Sequence, residues 1–202
     1  MTVQVEFHFD FGSPNTYFCH KLLPDIAKRA DAEFVYVPIL LGGVFKLTNN
    51  QPPMIQFANV LHKQDYMRKE IARFIEDHGL IKFQMNPNFP VNTVALMRGA
   101  IVAEDEGFLD KYVDAVYSHM WEDGLKMDDP DVFVSALNGA GMDGAHILER
   151  TQEQGIKDIL IQNTSASVER GNFGAPTFFV GDEMFFGKDR LDAVEREIAK
   201  QN

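Results

Sequence analysis

The sequence predicts an α/β fold whose two strand-bearing ends form one unit around an inserted block of helices. Apolar residues alternate with period two near both termini, at helix spacing through most of residues 54–155, and Gly- and Pro-rich turns separate the segments. Those three patterns decide the class, and each element follows from them in chain order.

Residues 3–11, VQVEFHFDF, place Val3, Val5, Phe7, Phe9 and Phe11 on one face of a strand. Gly12-Ser13-Pro14 ends it; Ser13 is a favourable helix N-cap and Pro14 a favourable first helical residue. A helix carrying Tyr17, Leu22, Leu23 and Ile26 is therefore predicted as far as Arg29. Residues 33–40, EFVYVPIL, give a second strand stopped by Gly42-Gly43. Such a β–α–β unit pairs its strands in parallel through a right-handed crossover.

Residues 44–53 read as a loop, and the spacing of Phe57, Val60, Leu61, Met67, Ile71, Phe74 and Ile75 predicts a helix running to His78-Gly79. Residues 80–92, with Pro87 and Pro90, read as irregular. Helices are predicted over 93–106, 108–121, 130–138, 144–154 and 156–170, with stops at Gly107, Gly124 and the glycines of 139–144. Residues 171–176 form a loop, Thr177–Val180 and Met184–Phe186 a hairpin, and 190–200 a closing helix. Residues 1–50 with 156–202 thus make one α/β domain, and 54–155 an inserted helical domain. An insertion into an exposed connection leaves the host sheet intact.

Composition narrows the chemistry. The chain has 202 residues, 45% of them hydrophobic and 24% charged, which is enough for a packed core and unlike a disordered chain. A net charge of −11 makes it a poor partner for nucleic acid and for anionic membranes. It does not exclude an anionic small molecule held by backbone dipoles. One cysteine, Cys19, permits no internal disulfide, no CxxC exchange and no cysteine-based zinc site, and reads as a buried small hydrophobe. His62 and His78 read as surface residues, and Asp128-Asp129 and Asp131 lack an EF-hand pattern, so no metal is expected. The N-terminus has no basic, continuously apolar leader and no apolar run approaches the roughly 20 residues of a membrane span, so the cytoplasm is the expected compartment.

Five segments, in order, resemble one family. Phe9-Asp10-Phe11-Gly12-Ser13-Pro14-Asn15-Thr16-Tyr17 resembles the D-F-x-S-P-x-S-Y segment of 2-hydroxychromene-2-carboxylate isomerases and kappa-class glutathione transferases, within the DsbA-like thioredoxin superfamily. Leu41–Lys46 with Asn50-Gln51-Pro52-Pro53 is similar to its L-G-G-x-F-x…G-N-K-P-P, and Asn88–Thr93 with Met97-Arg98 to its F-P-x-N-T…M-R. Phe173–Phe178 resembles F-G-V-P-T-F, and Gly187–Leu191 resembles G-x-D-R-L. Ala175 replaces a usual valine, Phe186 a common tryptophan, and Asn49 and Gln51 a glycine and a lysine. The last change removes a charge from the central loop.

The resemblance implies a thioredoxin-like fold with a large all-helical insertion between its βαβ and ββα halves. Ser13 then stands where a thioredoxin keeps its redox cysteine, and Thr16 where the second would be. On its own residue type Ser13 reads first as an N-cap. A helix N-terminus also carries free N–H groups and positive partial charge, and a serine hydroxyl without an adjacent base is a poor nucleophile but a good donor. The family assigns it the thiolate of bound glutathione. X–Pro bonds are cis in only about 5–6% of folded-protein cases, so Pro176 alone favours trans; the resemblance implies cis, with Ala175 offering its backbone to the cysteinyl part of glutathione. Lys188 and Asp189, the latter otherwise an N-cap candidate, are implied at the γ-glutamyl end, and Asn50, otherwise a turn residue, at the glycyl side or the second substrate. Asn92 and Asn88 are candidates for a second-substrate pocket. The implied activity is glutathione-dependent interconversion of 2-hydroxychromene-2-carboxylate and trans-o-hydroxybenzylidenepyruvate by a homodimer. The alternatives are a kappa-like transferase conjugating glutathione to electrophiles and a non-catalytic binding module.

Overall fold

A computed structural model describes residues 2–201. Strand β1 (Val3–Phe9) leads into helix α1 (Pro14–Ala30) and strand β2 (Ala32–Pro38). Near the other end, α9 (Gln154–Glu169) precedes β3 (Thr177–Val180), β4 (Glu183–Phe186), a 3₁₀ turn at Lys188–Arg190 and α10 (Leu191–Gln201). The four strands form one sheet in the order β2-β1-β3-β4. β1 runs parallel to β2 and antiparallel to β3, and β3 antiparallel to β4. This is the thioredoxin-like arrangement of a βαβ half joined to a ββα half, with helices between.

Those helices are α2 (Leu41–Thr48), α3 (Pro53–Gln56), α4 (Lys63–Asp77), α5 (Val94–Asp105), α6 (Leu109–Trp121), α7 (Pro130–Gly139) and α8 (Gly144–Arg150). Two departures from the sequence pattern stand out. Residues 41–48 are helical although the Gly pair and following residues read as a strand stop and a loop. Tertiary contacts decide it: Leu41 N–H donates to Asp10, and Val44 is buried with Ile39 and Ala175. Conversely, residues 57–62 are turns, and α4 begins only after His62 at φ 67. The apolar spacing of Phe57, Val60 and Leu61 predicted helix, yet Val60 and Leu61 are exposed, so no buried face enforces the periodicity.

The core runs without a break from the sheet into the helices. Phe7 stacks on Phe178 with ring centroids 5.1 Å apart, Phe9 meets Phe11 edge-on at 5.2 Å, and Phe11 meets Tyr117 of α6 at 4.7 Å. Each such pair adds about 0.5–1.5 kcal/mol beyond its buried area. Trp121 is fully buried at the end of α6, and its indole N–H donates to the Phe11 carbonyl at 2.9 Å, which ties the helical block to the end of β1. Helices α5 and α6 touch closely at Gly99, where an added Cβ would lie 2.2 Å from the Tyr112 hydroxyl oxygen. Among the described residues, no helix is long and apolar enough to cross a membrane, and no His, Cys, Asp and Glu side chains cluster to hold a metal.

Candidate functional site

β1 ends at Phe9, and the chain turns through Asp10–Gly12 into α1. Asp10 organises the turn. Its fully buried carboxylate accepts the N–H of Gly12 at 2.8 Å and of Leu41 at 2.7 Å, and a bond from the Thr93 side chain. Burial pushes this carboxyl above its ordinary range against those three donors. Asp10 lies inside the Phe9–Tyr17 segment, but a lone Asp after an alternating strand reads as a turn residue, so nothing in its local pattern singles it out.

Ser13 stands at the N-cap position of α1 with the extended backbone usual there (φ −100, ψ 118), but no helix N–H reaches its side chain. The hydroxyl instead donates to the Ala175 carbonyl at 3.2 Å, across the join between the two halves of the fold. Thr16, at the position of a second redox cysteine, is a tether: its hydroxyl lies 2.8 Å from the Asp10 carbonyl and 2.6 Å from that of Ser13. Ala175–Pro176 is cis, as is Phe89–Pro90 in the irregular segment, for which the sequence offered no sign. Asn15 Oδ1, two residues past Ser13, is buried with no hydrogen bond among the described residues. Cys19, one turn further, is buried, and burial pushes its thiol far above the ordinary range.

Three more sequence candidates are tied to this corner. Asn50 Nδ2 donates to the Phe173 carbonyl at 2.9 Å while its Oδ1 accepts the Gln51 N–H at 2.8 Å, so the central loop is pinned to the segment leading into Pro176. Gly187 N–H donates to the Pro176 carbonyl at 2.9 Å and so places Lys188 and Asp189 next in line. Lys188 is buried over the Phe74 ring, 4.3 Å from its centroid, with Nζ 2.5 Å from the exposed Asp189 carboxylate. Asp189 therefore pairs with Lys188 and caps no helix. Asn88 and Asn92 bond backbone groups. Asn88 Nδ2 donates to the Gly124 carbonyl at 3.1 Å, and Asn92 Oδ1 accepts the Val94 N–H at 3.1 Å at the start of α5.

A helix N-terminus bearing a small hydroxyl residue thus faces a cis-proline loop on a four-stranded mixed sheet. Residues 4–199 match the DSBA-like thioredoxin domain. The chain belongs to the DSBA-like thioredoxin family. Within it, the chain is 27% identical over 197 residues to the 2-hydroxychromene-2-carboxylate isomerase of Sphingobium xenophagum, covering 96% of this chain and 97% of that one. It is 28% identical over 210 residues to glutathione S-transferase kappa 1 of Rattus norvegicus, covering 94% and 88%. Both relatives are enzymes. The solved structure of a 2-hydroxychromene-2-carboxylate isomerase superposes with TM-score 0.84 at 27% identity, over 98% of this chain and 95% of that one. A probable DsbA oxidoreductase from Streptomyces coelicolor, at 15% identity and TM-score 0.73 over 98% and 89%, shares the fold.

Proposed function

We propose that this DSBA-like protein is a glutathione-dependent isomerase that interconverts 2-hydroxychromene-2-carboxylate and trans-o-hydroxybenzylidenepyruvate, with Ser13 holding the thiolate of glutathione. The observation that carries the reading is the Ser13 hydroxyl, which is free of capping duty and donates to Ala175 O beside cis-Pro176.

The residues present fit glutathione. Ala175 O is the acceptor that an extended peptide pairing along this loop would use. The Ser13 hydroxyl donates to it. When a cysteinyl N–H takes that carbonyl, the hydroxyl is released to donate to the sulfur, so one exchange of partners seats both groups. Asn15 Oδ1 offers a further buried acceptor at the same helix end. Lys188 and Asp189 offer one cation and one anion to the γ-glutamyl end, with the exposed Asp189 carboxylate suited to its α-ammonium. When bound, glutathione supplies a thiolate that can add reversibly to a conjugated carbonyl system, making a double bond single long enough to rotate. The protein's part is to favour the thiolate: the Ser13 donor and the positive end of α1 lower the thiol pKa, and one to two units correspond to roughly 1.4–2.8 kcal/mol. Residues 54–155, the inserted helical domain in our reading, supply the pocket for the aromatic carboxylate.

Replacing Ser13 by Ala and following glutathione-dependent isomerisation tests this role; a fully retained rate overturns it. The similarity to a kappa glutathione transferase supports a second reading, conjugation to an electrophile at the same corner. Assaying a conjugation substrate beside the chromene separates the two.

A further inference from the structure

His8 sits on the face of β1 opposite Phe7 and Phe9, yet it is as buried as they are. Each ring nitrogen has one partner. Nε2 lies 2.9 Å from Glu6 Oε2, and Nδ1 lies 2.8 Å from Ser167 Oγ of α9. Arg170 also donates to Glu6 Oε2 at 2.5 Å, and its guanidinium stacks 3.8 Å over the Phe179 ring. Burial works to raise the Glu6 carboxyl, but hydrogen bonds from His8 and Arg170 outweigh it and hold the group below its ordinary range. Burial holds the His8 imidazole below its ordinary range, against the pull of Glu6 and with the repulsion of Arg170.

With the imidazole neutral, these contacts assign the donors along the chain. An ionised carboxylate only accepts, so a neutral His8 carries its hydrogen on Nε2 and accepts at Nδ1. The Ser167 hydroxyl then donates to Nδ1, and its oxygen accepts from Asn172 Nδ2 at 2.7 Å. With its NH₂ committed, Asn172 turns Oδ1 to the Gly174 N–H at 2.8 Å and the Thr177 hydroxyl at 2.9 Å. Gly174 and Thr177 flank Ala175-Pro176. Glu6, His8 and Ser167 have the carboxylate–imidazole–hydroxyl order of a hydrolytic triad, but Ser167 is 1% exposed and has a partner on each side, which leaves no place for a substrate carbonyl.

We infer that His8, Ser167 and Asn172 are positioning residues for the Ser13 site: their buried chain of hydrogen bonds fixes the Gly174 amide, and through it the Ala175 carbonyl that meets Ser13. The placement of the carbonyl stands on these bonds alone; its consequence for glutathione rests on the function proposed above.

The test uses the full-length protein without ligand. Long-range ¹H–¹⁵N spectra of the wild type should show His8 as the Nε2–H tautomer, and the Nδ1–H tautomer overturns the chain. Ser167→Ala should speed hydrogen exchange of the Gly174 amide at least about tenfold while the β1 and β3 amides keep their protection. Ser167→Thr, which restores the hydroxyl, should bring the rate back. Unchanged Gly174 exchange in Ser167→Ala overturns the inference. Where Ser167→Ala does not fold, His8→Phe and His8→Asn give the same contrast. Phe keeps the ring and removes the acceptor, so Gly174 exchange should rise. Asn sets an oxygen near the Nδ1 position and should hold it within about threefold; equal rates in the two overturn the inference. In the enzyme assay, Ser167→Ala should raise KM for glutathione about fivefold or more with kcat within about twofold, the mark of lost uniform binding. A Gly174 amide that responds in a protein that does not bind glutathione upholds the hydrogen-bond chain and removes the glutathione reading.

Discussion

The corner around Ser13 and the segment from Leu47 to Met85 use side chains in opposite ways. At the corner, Asp10, Ser13, Thr16, Asn172 and Thr177 are buried and all have defined partners. Between Leu47 and Met85, apolar groups stand in the open, with Leu61 82% and Ile81 87% exposed, and α4 has no buried residue. Its exposed face carries Arg68–Asp65 and Arg73–Glu70 ion pairs at helical spacing, each worth a few tenths of a kcal/mol, while Ile71, Phe74 and Ile75 rest half-buried on the core. Helix α1 and the loop into β3 are held by contacts distant in sequence; α3 and α4 are held more by local ones. Long-range hydrogen bonds therefore set position at the corner, while the other region leaves apolar area exposed.

Breaking the contrast is straightforward, beginning where the effect is largest. Trp121→Ala removes a fully buried indole and its bond to Phe11 O, and should lower unfolding free energy by about 3–5 kcal/mol in urea titrations. Ser13→Ala should leave stability within about 1.5 kcal/mol of wild type yet reduce glutathione-dependent turnover about 10²–10³-fold; steady-state rates beside a melting curve read both. Asp10→Asn should destabilise by about 1–3 kcal/mol, because the amide NH₂ must face one of two backbone N–H donors. Its pH dependence has a definite sign. Burial raises the folded-state pKa of Asp10, so its contribution is full below the ordinary carboxylate value and is lost as pH rises through the raised value. The margin of wild type over Asp10→Asn should accordingly be larger near about pH 4 than near about pH 7 in matched urea midpoints. Least of all, Leu61→Ser and Ile81→Ser should change stability by less than about 0.5 kcal/mol. A loss matching that of Trp121→Ala would erase the distinction between the two regions.

What the sequence disclosed follows the same division. β1, α1, β2 and the β3–β4 hairpin were legible because strict alternation and the Gly-Ser-Pro and Gly-Asp turns express local rules. Helix α2 was not, because its Leu-Gly-Gly start is poor helix sequence and its first turn is held by Asp10, thirty-one positions earlier. The apolar spacing at 57–62 is misleading because such spacing signals a helix only where a face is buried. In the candidate site, Ser13 and Pro176 stand out through their motifs, and Asn50, Lys188 and Asp189 enter through resemblance. His8, Ser167 and Asn172 were invisible: each is ordinary in its own segment, and only the docking of α9 onto the polar face of β1 makes them neighbours. That face runs from exposed Gln4 to buried His8 and Asp10, a gradient that alternation alone does not show.

Cys19 has a consequence for durability. It is the chain's one thiol, sealed in α1 and kept protonated by burial. An enzyme that owns its reactive sulfur is spent once that sulfur climbs to sulfinic or sulfonic acid. On the chemistry proposed here the sulfur arrives with the ligand and leaves with it, so an oxidative accident ruins a tripeptide and spares the catalyst. On that proposal the protein keeps the shape of a redox corner and hands the perishable part to a molecule the cell can replace.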